Sequence, residues 1–528
     1  MEYKRFGVML DCSRKAVMKI STLKKYVDYL VKIGYNALEL YTEDTFKVEN
    51  EPYFGHMRGA YTIEEIKELD EYCISKGVEL IPCVQTLAHL DTIFRWEEYG
   101  HICDADGVLL IGEERTYTLI ENIFSTLAKS FTSRNVNIGM DEAEFAGLGR
   151  YLIINGYKNR FEILSSHLKR IVEIAGKYGF KPHMWSDMFF KLITGGNYYA
   201  KGVNVPEEVK NSVPEEVALA YWDYMTDDGE LYDEMFRAHK EFDRDIWFVG
   251  GVWMWRSFAP LNDYALNAMK EAVKAVKKHK IENVLFALWK DDGAECSFFS
   301  VLPVLYAIRQ FANGNFDIES IKSGFKMQTG LDFDEIKLIG DINKTKGEEK
   351  ENWKDAQRTR LVLYNDPFIG SVDALAKDIV DNDYLRLAKE YEKIEKKGGE
   401  LAYLFSVVKD LALVLDKKVP LGLNTRKAYQ EKDIKTLKAL IKDYDKTIVL
   451  TKKLYKSFKA LWDKENKPFG FETHDTRFGG LIFRLETCKE RLELFVKGKI
   501  SVIEELEETM LEKPIRFWKY NTLFLGGI

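Results

Sequence analysis

The 528-residue chain holds only six cysteines, Cys12, Cys73, Cys83, Cys103, Cys296 and Cys488, and no two stand in a CxxC or any other paired spacing. This excludes a disulfide scaffold or a cysteine zinc site and points to reduced, mostly buried thiols in a cytoplasmic protein. Histidine is also scarce: eight residues, with no HExxH and no His-x-His, so no metal centre is expected. No apolar run approaches the ~18 residues of a membrane span, and the opening MEYKRFGVML lacks the apolar core of a secretion signal. Basic charge is not in excess. The 77 Lys and Arg against 84 Asp and Glu leave a net charge of −7, which argues against nucleic acid or an anionic membrane as the main partner. No glycine-rich phosphate loop follows the first apolar run and no nucleophile elbow occurs, so neither a dinucleotide cofactor nor serine-nucleophile chemistry is supported.

What the chain has in abundance is aromatic surface: 13% Phe, Trp and Tyr, with ten tryptophans. It is also too long for one ordinary core. Its first 300 residues alternate short apolar runs with amphipathic stretches. The runs are FGVMLD (6–11), ALELYTED (37–44), ELIPCVQ (79–85), VNIGMDE (136–142), KPHMWSDM (181–188), VALAYWDY (217–224), WFVGGVWMW (247–255) and VLFALWKDDG (284–293). Between them lie segments such as STLKKYVDYLVKIG and YTIEEIKELDEYCISKG, apolar at helical spacing and closed by glycine. Continuous apolar strands separated by helices predict a parallel sheet buried on both faces. Eight such units predict a (β/α)8 TIM barrel over residues 1–315, with a doubly wound open sheet as the weaker alternative. Beyond residue 315 the strand-like runs stop, and long charged amphipathic segments predict an all-α C-terminal domain over 316–528. Within it NKPFGFETHDTRFGGLIFRLE (466–486) is an aromatic, glycine-bearing loop entering a helix. It either packs between helices or docks on the barrel mouth or a partner subunit.

Acids and aromatics gather at the C-terminal ends of the runs, where a barrel builds its active site. Indole faces matched to sugar C–H surfaces, with carboxylates for the hydroxyls, are the chemistry of carbohydrate binding. Asp141 and Glu142 are adjacent, so on a regular strand they would point to opposite faces and would not flank one glycosidic bond squarely. A division of labour, one acid in the barrel mouth and one at the leaving group, suits hydrolysis assisted by the 2-acetamido group of the substrate. A helix cap at Asp141, a two-carboxylate β-glycosidase using Asp187 or Asp291, and a non-catalytic carbohydrate-binding barrel remain the other readings.

IGMDE (138–142) resembles the Gly-Gly-Asp-Glu signature of glycoside hydrolase family 20, the β-N-acetylhexosaminidases. In order along the chain, GVMLDCSR (7–14), LELYTED (38–44), GVELIPCVQTLAHL (77–90) and FALWKDD (286–292) resemble that family's first-, second-, third- and last-strand segments. The resemblance covers residues 5–295 and fits a compact bacterial branch without the usual N-terminal α+β domain. It implies Glu142 as general acid and then base, and Asp141 as the group that orients the acetamido and stabilises the oxazolinium. His89 with Glu43 or Asp44 would form a relay tuning Glu142. Trp185, Trp222 and Trp289 would box the acetamido methyl and sugar face, and Asp291 would bind outer hydroxyls. The family's sugar-binding Arg has no direct counterpart, leaving Arg5 and Arg14 to share the expectation. Trp253 and Trp255 stand where a Tyr is usual, and Tyr224 is its expected substitute. The implied enzyme is an exo-β-N-acetylhexosaminidase acting on oligosaccharides with terminal non-reducing β-linked GlcNAc or GalNAc, needing no cofactor or metal. The helical domain and its aromatic loop offer surface for a homodimer.

Overall fold

A computed structural model of the protein describes residues 2–291, 293–347 and 351–510. Residues 511–528 of the expected C-terminal domain therefore lie outside the described residues, as does Asp292. Eight parallel strands close into one barrel in sequence order. They are β1 (Arg5–Asp11), β2 (Ala37–Tyr41), β3 (Glu79–Cys83), β4 (Asn135–Asn137), β5 (Lys181–Trp185), β6 (Ala218–Trp222), β7 (Ile246–Gly251) and β8 (Asn283–Leu288). Each of the eight apolar runs supplies one strand. Each strand is followed by helix, as the right-handed β–α–β crossover requires. The helix Ile20–Lys32 buries Leu23, Tyr26, Val27 and Leu30 against the sheet. The helix Ile63–Ser75 starts from a reciprocal capping box between Thr62 and Glu65, which satisfies backbone N–H groups that have no partner inside the helix.

Two apolar clusters result. Residues facing the barrel axis, including Met9, Ile81, Trp185, Trp247 and Leu285, form a small inner one, while the outward faces of the strands and the helices form the large outer core. Polar groups cross the inner cluster at one level, where His183 Nε2 lies 3.0 Å from Glu39 Oε2 and Asn137 donates to Glu39 Oε1 at 3.3 Å. They pair with one another, as buried polar groups must.

One strand is shorter than its sequence suggests. β4 stops at Asn137, because Gly139 and Met140 both take positive φ, +70° each. Asp141 and Glu142 therefore sit on a loop beyond the strand, so the strict alternation of a strand does not govern where they point.

After the barrel, three long helices, Ala402–Gln430, Ile434–Glu465 and Glu472–Val496, dominate the C-terminal part. The aromatic segment at 466–486 docks on the barrel. Met18 and Asn466 form an isolated bridge, Lys467 N–H donates to the Val17 carbonyl at 2.8 Å, and His474 Nε2 lies 2.7 Å from the Gly293 carbonyl. The segment thus meets the barrel at the loops that follow β1 and β8. No helix among the described residues is long and apolar enough to cross a membrane.

Candidate active site

At the C-terminal end of the barrel a cavity of about 140 Å³ is lined by Arg14, His89, Asp141, Glu142, Asp291 and a wall of aromatic rings. The wall contains Trp185, Trp222, Tyr224, Trp253, Trp255 and Trp289, together with Tyr41. The rings brace one another. Trp253 and Trp255 stack with centroids 4.0 Å apart, Tyr224 meets Trp255 edge-on at 5.1 Å, and Tyr41 meets Trp289 edge-on at 4.8 Å. The Trp253 indole N–H donates to the Tyr224 carbonyl at 2.6 Å, tying the ends of β6 and β7 together.

The acid pair is held from the two strands that flank β4, β3 and β5. Gln85, just past β3, donates its amide to Asp141 Oδ1 at 2.8 Å and to the Tyr41 hydroxyl at 3.0 Å. Its carbonyl oxygen accepts from Met140 N–H at 3.3 Å. Gly139 gives that oxygen its space, since a Cβ there would lie 2.1 Å from Gln85 Oε1. Past β5, the buried Asp187 accepts the Glu142 backbone N–H at 3.0 Å and pairs with Lys191 at 3.0 Å. His89 Nε2 sits between the acids, 3.2 Å from Asp141 Oδ2 and 3.5 Å from Glu142 Oε2. Glu43, His89, Met140 and Glu142 all carry positive φ, a costly conformation for non-glycine residues that persists where surrounding contacts impose it.

These neighbours separate the two carboxyls electrostatically. Burial pushes the Asp141 pKa up, but the nearby His89 charge and the hydrogen bond from Gln85 reverse the shift and leave it below the usual value. Glu142 moves the other way, raised by loss of water around it and by the Asp141 charge; its side chain keeps 51% exposure at the cavity mouth. Burial alone would lower the His89 pKa, yet the Asp141 carboxylate outweighs it and lifts the imidazole to about 9. Neighbouring titratable groups pushed apart in this way are the usual arrangement for acid–base work.

The other expected residues divide. Arg14 lines the cavity and pairs with Glu43 at 3.2 Å and with Asp11 at 3.8 Å. Arg5 does not: it opens β1 at the opposite end of the barrel, bound to Glu79 at 2.7 Å and Asn283 at 3.0 Å, so it faces no part of the cavity. Glu43 accepts from the Tyr41 hydroxyl at 3.1 Å and borders an adjoining cavity with His89. Asp44 points elsewhere, to Arg58 at 3.1 Å, which takes it out of the His89 relay. Asp187 is engaged by the Glu142 N–H and Lys191, so it is not a second acid open to a substrate. Tyr41, Met225 and Arg256 line the cavity without having been singled out. Arg256 follows WMW directly, and its place beside the aromatic run after β7 was the one signal available for it.

A family model described as the glycosyl hydrolase family 20 catalytic domain matches residues 3–235, and one described as the glycoside hydrolase 20C C-terminal domain matches residues 334–517. Hexosaminidase D of Bos taurus is 24% identical over 311 residues, covering 54% of this chain and 84% of that protein. Hexosaminidase D of Homo sapiens is 23% identical over 220 residues, covering 40% of this chain and 43% of that protein. The solved structure of a β-N-acetylhexosaminidase from Bacteroides fragilis NCTC 9343 aligns over 62% of this chain and 71% of that one, at 19% identity and a TM-score of 0.48.

Proposed function

The chain belongs to glycoside hydrolase family 20, and from that premise we propose that it is an exo-β-N-acetylhexosaminidase that uses the acetamido group of its substrate as nucleophile. The observation that carries this reading is the pair Asp141 and Glu142, adjacent in sequence, bridged by His89 and shifted in opposite directions within an indole-walled cavity. A terminal β-linked GlcNAc or GalNAc enters with its apolar face on the indoles. The ionised Asp141 receives the acetamido N–H and orients the carbonyl oxygen toward C1. That oxygen forms a bond to C1 as the C1–O glycosidic bond breaks, and the Glu142 proton passes to the leaving oxygen. Asp141 stabilises the resulting oxazolinium cation. Water then attacks C1, Glu142 takes its proton, and the ring opens to give the sugar with its β configuration retained. In this reading Arg14 and Asp291, which line the cavity, bind the outer hydroxyls, and Tyr224 receives the acetamido oxygen. We further propose that the enzyme works in the cytoplasm on short oligosaccharides, and that the helical part provides a homodimer contact.

The test is hydrolysis of chromogenic β-GlcNAc, β-GalNAc and β-glucoside by the wild type, Asp141→Asn and Glu142→Gln. We expect both acetamido sugars to be cleaved and the glucoside spared. Each variant should lose more than about a hundredfold in kcat, the scale of acid–base catalysis. Equal cleavage of the glucoside would remove the acetamido group from the mechanism.

A further inference from the structure

The sugar cavity does not end the site. Two more cavities, of about 200 and 180 Å³, continue from it along the barrel mouth. The first shares Arg14 and His89 with the sugar cavity. It joins the second through Lys15, Arg58, Thr92 and Arg95, which border both. The second is closed at its far side by Trp96 and by Gly470 of the C-terminal part. The groove is therefore walled by the loops after β1, β2 and β3 together with the segment entering the helix Glu472–Val496. Gly470 presses on it closely: at φ +90°, a Cβ there would lie 2.3 Å from the Lys15 carbonyl oxygen.

The charges in this groove are unevenly matched. Arg14 is paired with Glu43, and Arg58 with Asp44. Lys15 and Arg95 form no ion pair with any described residue, although Asp91 and Glu472 stand exposed at the rims. Burial first, and then the charges of Arg58, Arg95 and Arg477, push the Lys15 pKa down against a smaller opposing pull from Glu472. The buried Thr92 hydroxyl oxygen has no hydrogen-bond partner among the described residues. Trp96 supplies an aromatic face beside them. The buried Thr92 hydroxyl and the half-buried Lys15, both without a partner, cost free energy unless a ligand meets them, and the exposed Arg95 adds a second unpaired cation to the same groove.

We propose that this groove binds an anionic group of the substrate, a carboxylate, sulfate or phosphate, through Lys15, Arg95 and Thr92, with Trp96 as a stacking face. The inference rests on the glycosidase reading above and names its substrate class: β-N-acetylhexosaminides carrying a negative charge within reach of the sugar cavity. The charge is borne either by the bound hexosamine or by the residue attached to it, and the two are chemically equivalent to the groove.

The experiment compares kcat/KM for four compounds: neutral chromogenic β-GlcNAc, its 6-sulfate, a disaccharide of GlcNAc β-linked to glucuronic acid, and the same disaccharide with glucose. We expect at least one anionic compound to exceed its neutral counterpart by tenfold or more in the wild type. A gain with the sulfate places the charge on the hexosamine, and a gain with the glucuronide places it on the attached residue. The preference should shrink as salt rises from about 0.05 to 0.3 M, since exposed charges are screened over that range. Lys15→Met and Arg95→Met should each remove most of the preference while leaving hydrolysis of neutral β-GlcNAc unchanged. Equal rates for charged and neutral compounds, or a preference that survives both substitutions, would overturn the proposal while leaving the glycosidase reading intact. If even neutral β-GlcNAc resists hydrolysis, that reading fails on its own. Calorimetric titration of the two anionic sugars into the wild type and the Lys15→Met/Arg95→Met protein then still decides the groove, with equal affinities counting against it.

Discussion

His89 is the residue on which the electrostatics of the acid pair turns. Its imidazole lies within 3.5 Å of both carboxyls and, with its pKa lifted to about 9, carries a positive charge through the neutral range. That charge helps hold Asp141 ionised and also pulls Glu142 down against the upward push of burial and Asp141. The sign of a substitution follows. In the proposed mechanism activity needs Asp141 ionised, so it is lost as pH falls through the depressed Asp141 pKa. It also needs Glu142 protonated, so it is lost as pH rises through the Glu142 pKa. Replacing His89 by Gln removes the cation and lets both carboxyls rise. The acid limb of the kcat/KM profile should therefore move to higher pH, the alkaline limb should move the same way, and kcat should fall tenfold or more. An acid limb that stays in place would separate His89 from Asp141.

At the scale of an element, the loop after β4 is what turns an ordinary strand into a site. Gly139 and Met140 leave the strand by positive φ, and Gln85 fixes the new path with its carbonyl on Met140 and its amide on Asp141. Replacing Gln85 by Met keeps the volume roughly constant but deletes these hydrogen bonds and the one to Tyr41. Each is worth about 1 kcal/mol net, so we expect a loss of about ten- to a hundredfold in kcat with only a modest fall in Tm. Gly139→Ala should be more severe. It places a Cβ against Gln85 Oε1 and asks alanine to hold positive φ, at a cost of roughly 1–3 kcal/mol. Thermal unfolding and initial rates on both variants check this. A Gly139→Ala protein as stable and active as the wild type would show that the loop has another path.

For the whole molecule, the C-terminal helices act on the barrel through the loop that follows β8. Arg477 reaches Glu295 at 3.0 Å, Arg360 lies 3.7 Å from the same carboxylate, and His474 meets the Gly293 carbonyl. Glu295 is almost fully buried, so its charge depends on these cations, and they hold its pKa low against burial. Removing one partner of a buried pair costs about 3–5 kcal/mol, because the other charge is left in place. With Arg360 still present, Arg477→Met should cost toward the lower end, about 3 kcal/mol in urea unfolding. Because Gly293 and Glu295 follow Asp291 closely, KM should rise as well. A variant with unchanged stability would mean that Arg360 alone neutralises Glu295.

How much of this was legible in the sequence differs from residue to residue. The eight apolar runs place eight strands, because a strand buried on both faces reads as a nearly continuous apolar run, interrupted here only where groups such as Glu39, Asn137 and His183 pair inside the barrel. The aromatic and acidic residues at the ends of those runs assemble the cavity, since a barrel sends all its strand ends to one mouth. Local sequence also carries the capping box at Thr62 and Glu65 and the glycine that closes each early helix. Other features have no local signal. Strand direction alone puts Arg5 and Arg14 at opposite ends of β1, but that Arg14 meets Glu43 from the next strand's loop is decided only in the closed barrel. Asp44 differs from Glu43 in its partner, Arg58, which comes from the loop fourteen residues on. Gln85 and Arg256 gain their places because separate βα loops converge. Arg477 acts on the barrel from 182 positions beyond Glu295. Local pattern fixes which residues are apolar and where the chain turns, since those depend on neighbours in sequence. Which charged groups meet is decided by Coulomb and hydrogen-bond contacts between distant segments, and these exist only once the barrel has closed and the helices have docked.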